Sequence, residues 1–227
     1  MKLTYHGHSV VAIDLNDRTK LLFDPFITGN PLTDLVAEEV TADYLFVTHG
    51  HSDHIGDMVS IAKRCQATIV SMVEVCHFAK THGVTKTHGM NLGGQFNFPF
   101  GAVKMVPALH SSGLEIDGQT LYLGQAGGFV LQAEGKTIYH AGDTALFSDL
   151  ALIGAEFTID VAFLPIGDNF TMGPSDALKA AALLRANTVI PIHYNTFPVI
   201  KQNPEEFRSM LPIGVGKVLA VGETIEV

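Results

Sequence analysis

Six consecutive residues constrain this 227-residue chain more than any others: His49-Gly50-His51-Ser52-Asp53-His54, set directly after the apolar run Tyr44–Thr48. The run reads as a buried strand, and Asp57–Arg64 beyond it places Met58, Ile61 and Ala62 at helical spacing. The hexapeptide is therefore a strand-to-helix turn, the position where α/β proteins gather their active sites. In extended backbone alternate side chains face the same way, so His49 and His51 can aim at one metal ion. Asp53 and His54 stand where the chain begins to wind, within reach of a second. Imidazole and carboxylate are ligands that zinc, manganese and iron accept. With 11 histidines in the chain, a random sequence would match this pattern with a probability of order ~10⁻³. A plain polar surface turn is the weaker explanation.

Two metal sites need more donors than four. His110 follows the strand-like run Ala102–Pro107, Asp143 follows Thr137–His140, and His193 follows Val189–Ile192. Each stands just past the end of an apolar run, the pattern of a site collected along one sheet edge.

The remaining grammar repeats. Lys2–Tyr5, Val10–Leu15 and Lys20–Phe23 read as a three-strand meander closed by Asp24-Pro25. Strand Thr68–Val70 and helix Val73–Thr81 continue the first half. In the second half, strands Gln95–Phe98, Ala102–Pro107, Gly128–Glu134 and Thr137–His140 precede helix Leu146–Ile153 and strand Val161–Pro165. Pro174 then opens helix Ser175–Arg185, and strand Val189–Ile192, helix Pro204–Met210 and two short strands close the chain. No linker or low-complexity tract divides the halves. The expected architecture is one domain over residues 1–227, α+β, a four-layer αββα sandwich of two similar halves with helices outside.

Composition narrows the function. A hydrophobic fraction of 47% with 16% charged residues supports a sizeable core and argues against disorder. The formal net charge of −9 makes the chain a poor counterion for nucleic acid. Cys65 and Cys76 have no metal-type spacing and read as reduced thiols. No apolar run nears the ~18 residues of a membrane span, and no signal peptide opens the chain. A cytoplasmic protein with a small-molecule substrate is expected, no nucleic acid or membrane partner, and a possible homo-oligomer covering some apolar surface.

These motifs resemble the metallo-β-lactamase superfamily over nearly the whole length. Its five motifs stand in order: Asp24, the His49–His54 cluster, His110, Asp143 within Gly142-Asp143-Thr144, and His193. Gly7-His8-Ser9, Asp24-Pro25, Leu164-Pro165-Ile166-Gly167, Met172 and Pro174 resemble the subgroup that holds ascorbate-6-phosphate lactonases, N-acylphosphatidylethanolamine phospholipases and a set of cytosolic metal-dependent hydrolases. The last set is the nearest in pattern. The resemblance implies that His49, His51 and His110 bind one ion, that Asp53, His54 and His193 bind a second, and that Asp143 bridges them. Asp24 would accept a hydrogen bond from a ligand imidazole and fix its tautomer. Two divalent ions, most simply zinc with manganese, iron or nickel as substitutes, would keep about one net positive charge after Asp53, Asp143 and a hydroxide are counted. The implied reaction is attack of a metal-bound hydroxide on a small ester, lactone or phosphodiester, with Asp53 or Asp143 taking the proton. The alternatives are an RNA-processing nuclease, disfavoured by the acidic charge, and a non-catalytic metal-binding protein.

Several further residues stand near the motifs. His8 is expected at the site's rim or hydrogen-bonded behind a ligand, and His140 as a support for Asp143. Asp57 reads either as a residue favoured by the helix dipole or as a partner of a ligand histidine. Asp168, Asn169, Thr171, Tyr194 and Asn195 are candidate pocket residues. Asp160 and Asp176 read as helix caps. His6 reads as an ordinary turn residue, and His77, His82 and His88 as surface residues on a helix and its exit.

Overall fold

The computed structural model describes all 227 residues. The chain divides into two compact units, the first built from residues 1–92, 111–126 and 221–227, the second from residues 93–110 and 127–220. In chain order, the first unit begins with β1 (Lys2–Tyr5), β2 (Val11–Asp14), β3 (Lys20–Phe23), β4 (Tyr44–Val47), α1 (Ser52–Ile55), α2 (Met58–Cys65), β5 (Thr68–Met72), α3 (Val73–Thr81) and β6 (Thr87–Met90). The second unit opens with β7 (Gln95–Phe98) and β8 (Gly101–Pro107). The hairpin β9 (Gly113–Ile116) and β10 (Gln119–Tyr122) belongs to the first unit. Then come β11 (Gly127–Ala133), β12 (Lys136–His140), α4 (Leu150–Glu156), β13 (Val161–Pro165), α5 (Pro174–Leu184), β14 (Thr188–Ile192) and α6 (Pro204–Met210), and β15 (Thr224–Glu226) returns to the first unit. No helix is long and apolar enough to cross a membrane.

The first unit's sheet has the order β15-β1-β2-β3-β4-β5-β6. It is antiparallel from β15 to β3 and parallel from β3 to β6. Parallel strands flanked by helices are buried on both faces and so read as continuous apolar runs. Leu45, Phe46 and Val47 of β4 are accordingly fully buried, each side chain contributing on the order of 2 kcal/mol of hydrophobic stabilisation. α3 packs Val75, Cys76 and Ala79 from one face. Burial among apolar neighbours raises the Cys76 thiol to about 11, the state of a structural, unreactive cysteine.

The second unit's sheet has the order β14-β13-β12-β11-β8-β7. β12, β13 and β14 run parallel; β11 is antiparallel to both β8 and β12, so β8 points the same way as β12. α5 starts with Pro174 and buries Ala177, Ala180, Ala181 and Leu184, the spacing of a single helical face. That face joins the core around Val130, Tyr139, Ile153, Ala162, Leu164 and Phe207.

The departures from sequence expectation have local causes. The helix expected over Leu146–Ile153 starts only at Leu150, because Leu146 and Phe147 are irregular and Ser148–Asp149 form the turn that leads into it. The hairpin β9–β10 escapes periodicity because all four residues of β10 are exposed, leaving no apolar alternation to read. His88 lies on β6, paired with Val70, not at a helix exit; partial burial lowers its pKa. Of the two expected closing strands only β15 forms, the other being one bridge between Val189 and Gly216.

Candidate metal centre

In the first unit the parallel pairing of β3 with β4 brings their C-terminal ends to one edge, placing Asp24 beside Thr48 and His49. Asp24 is fully buried and held at φ 43°. Its Oδ1 accepts the Thr48 backbone N–H at 2.8 Å, and its Oδ2 accepts the Thr48 hydroxyl at 2.8 Å. Oδ2 also lies 2.8 Å from His54 Nδ1. A carboxylate only accepts, so His54 Nδ1 carries the proton and Nε2 is the atom that a metal would take. The same logic passes through Thr48. Its one proton is committed to Asp24, so the contact of 3.0 Å to His49 Nδ1 is a bond donated by the imidazole, and His49 Nε2 becomes the basic atom. That atom faces His51 Nδ1 at 2.9 Å, while His51 Nε2 lies 3.2 Å from Ser111 Oγ. Two imidazole nitrogens brought this close could share a cation once His51 Nδ1 gives up its proton. On the other side of the motif, the donor atoms of His8, Asp53 and His54 lie within 4.8 Å of one another, and His8 Nε2 is 3.1 Å from Asp53 Oδ2.

Backbone geometry keeps the motif in place. The short α1 ends at Gly56, which has φ 32°; a Cβ there would lie 2.5 Å from the Pro25 carbonyl and 2.6 Å from Phe26 Cα. The loop after Asp24 is thereby pressed against the end of α1. Gly50 is equally closed in, its missing Cβ standing 2.6 Å from that of Leu123, and its N–H donates to Ser112 Oγ.

In the second unit the common direction of β8, β12 and β14 puts His110, Asp143 and His193 at one edge. Asp143 Oδ2 lies 3.0 Å from His193 Nε2 and 3.6 Å from His110 Nε2. Thr144 ties the loops together: its hydroxyl accepts the Leu109 N–H and donates to the Ala145 carbonyl, while the Ala145 N–H donates to the Leu109 carbonyl. His140 Nδ1 accepts the Gly142 N–H at 3.2 Å and so supports the turn that carries Asp143. A Cβ on Gly167 would meet the His193 carbonyl at 2.3 Å, so only glycine allows this approach. His8, Asp24, Asp168, Asn169, His193 and Asn195 all have positive φ. Such strain costs of order 1–3 kcal/mol per residue and collects at functional sites.

Other candidates take different places. Asp57 bonds neither a ligand histidine nor, through its side chain, the start of α2; its carboxylate accepts the Ile27 and Thr28 N–H groups and the Thr28 hydroxyl, pinning the loop after Asp24. Tyr194 is buried in the apolar core of the second unit. Asn169 is exposed beside Asp168. Asp160 accepts the Thr137 N–H and Asp176 pairs with Lys179, so neither caps a helix. His6 pairs with Asp34. Sequence reasoning missed Thr48, Ser111, Thr144 and Gly167. The first three directly adjoin a donor, which was the available signal.

The donor chemistry, imidazoles with carboxylates at strand ends and hydrogen-bonded from behind, fits divalent transition metals. Two mixed sheets with helices and donors in these places define the metallo-β-lactamase class of fold. A family model described as "Beta-lactamase superfamily domain" matches residues 19–194. A "UPF0173 metal-dependent hydrolase" of Enterococcus faecalis is 61% identical over 99% of both chains, and one from Anoxybacillus flavithermus is 57% identical over the full length of both. The solved structure of Igni18, a metallo hydrolase of Ignicoccus hospitalis, matches with a TM-score of 0.87 at 36% identity, over 99% of this chain and 97% of that one. The chain belongs to the UPF0173 metal-dependent hydrolases of the β-lactamase superfamily.

Proposed function

We propose that the chain is a binuclear hydrolase, with zinc as the simplest occupant, acting on a small ester, lactone or phosphodiester. His49, His51 and His110 are assigned to one ion, Asp53, His54 and His193 to the other, and Asp143 to both. The observation that carries this reading is the buried Asp24–Thr48 network, which leaves the Nε2 atoms of His49 and His54 as the basic nitrogens. A bound pair of divalent ions would supply a water ionised near neutral pH and polarisation of the scissile bond. The chain's own groups do the rest. Asp53 and Asp143 are the carboxylates placed to hold a proton, and His8, 3.1 Å from Asp53, can steady the first of them.

The test combines metal analysis with turnover. Purified chain reloaded with zinc or manganese should hold two ions by elemental analysis. It should hydrolyse members of a panel of chromogenic phosphodiester, lactone and thioester substrates. Chelation and His110→Ala should each remove the activity. A chain that takes up no transition metal on reloading would overturn the reading, and a chain that takes up metal but turns over nothing would be a binding protein instead.

A further inference from the structure

The cavity beside the first unit's donors occupies ≈ 400 Å³. Its walls are His51, Ser52 and Asp53 of the motif, Ser111, and three residues of the β9–β10 hairpin: Gly113, Glu115 and Thr120. The hairpin register explains that choice. Glu115 pairs with Thr120 and Gly113 with Tyr122, so these four share one face, whereas Leu114 lies on the other and is buried. Gly113 leaves the face open; a Cβ there would stand 2.8 Å from Thr120 Cγ2. The cavity therefore offers hydroxyl groups and one carboxylate besides the donors, and Tyr122 adds an exposed ring to the same face.

The absence of cations from these segments is as informative. No lysine or arginine lies within residues 21–62, 105–135, 137–178 or 186–200, and these four stretches contain every proposed donor. Recognition of a phosphate or carboxylate commonly rests on an arginine fork or a lysine, and neither lines this cavity. A protonated or quaternary amine finds the reverse: a carboxylate at Glu115 in the wall, with the exposed ring of Tyr122, of the type that binds ammonium groups, further along the same hairpin face.

We infer that this cavity receives a cationic, ammonium-bearing part of the substrate, with Glu115 as the residue that selects it. The inference rests on the hydrolase reading above and narrows its substrates to esters or lactones that carry an amine. Acetylcholine serves as a probe, beside its neutral isostere with a tert-butyl group in place of the trimethylammonium and an analogue with a carboxylate there. The zinc-loaded chain should favour the cationic ester over the neutral one by about threefold to fivefold in kcat/KM, the scale of a solvent-accessible ion pair, and the anionic ester should be worst. Glu115→Gln should bring the cationic ester down to its neutral isostere, and Glu115→Lys should reverse the order. A second readout needs no turnover: choline and its neutral isostere are titrated into the chain, with the Ser111 and Thr120 amide signals followed by NMR. Choline should bind more tightly in a Glu115-dependent way. Hydrolysis without charge preference, with equal binding of the two alcohols, would overturn the inference and leave the hydrolase standing. Selective choline binding without hydrolysis of any ester would leave a cation-binding cavity but remove the ester-hydrolase reading, and with it the inference about the substrate. Failure of both readouts would remove both readings.

Discussion

The Asp24 carboxylate receives bonds from the Thr48 amide, the Thr48 hydroxyl and His54 Nδ1, and through the hydroxyl it also sets His49. One buried acid thus fixes the tautomers of two imidazoles. Support of this kind behind a metal ligand is commonly worth 10–100-fold in metal affinity. Thr48→Val keeps the shape of the side chain but removes the hydroxyl, and it should weaken zinc binding by roughly 10–100-fold in competition against a chromogenic chelator. Thr48→Ser should restore it. Zinc affinity unchanged in Thr48→Val would show that the hydroxyl fixes nothing. The imidazoles and carboxylates are readable in the sequence because few other roles call for that density of donor types. Thr48, Ser111 and Thr144 carry only the weak signal of adjoining a donor, since a hydroxyl is too common to say more until the fold shows which groups it joins.

At the scale of elements, strands buried on both faces were readable as apolar runs, and the helices α3, α5 and α6 by their spacing or their opening proline. The hairpin β9–β10, whose apolar residues are few and largely exposed, was not, although it walls the cavity. The join of α1 to α2 depends on Gly56. Its φ of 32° and the 2.5 Å approach to the Pro25 carbonyl leave no room for a methyl group in a backbone conformation that L-residues seldom adopt. Gly56→Ala should therefore destabilise the chain by about 2 kcal/mol or more in denaturant titration. Because the displaced segments carry Asp24 and the His49–His54 motif, zinc affinity should fall with it. A variant of wild-type stability would mean that the loop after Asp24 yields freely, and the rigid placement argued for the donors would go with it.

For the molecule as a whole, the sequence pattern identified strand ends as the place of the donors, but not which strands are neighbours. That follows from two sheet orders that no local signal encodes, such as β11 standing between β8 and β12. Ions held by folded geometry bind the native chain and scarcely the unfolded one, so occupancy becomes stability. At a free zinc concentration of 100 times the dissociation constant the gain is about 2.7 kcal/mol. For a chain of this length that raises Tm by roughly 5–10 °C. Differential scanning calorimetry should record this rise and its reversal by a chelator. His110→Ala should cancel most of it by removing a proposed donor, while Asp168→Asn, at a strained position with no proposed metal role, should preserve it. If zinc leaves Tm where the chelated chain has it, the donors do not hold ions in the folded state, whatever their spacing.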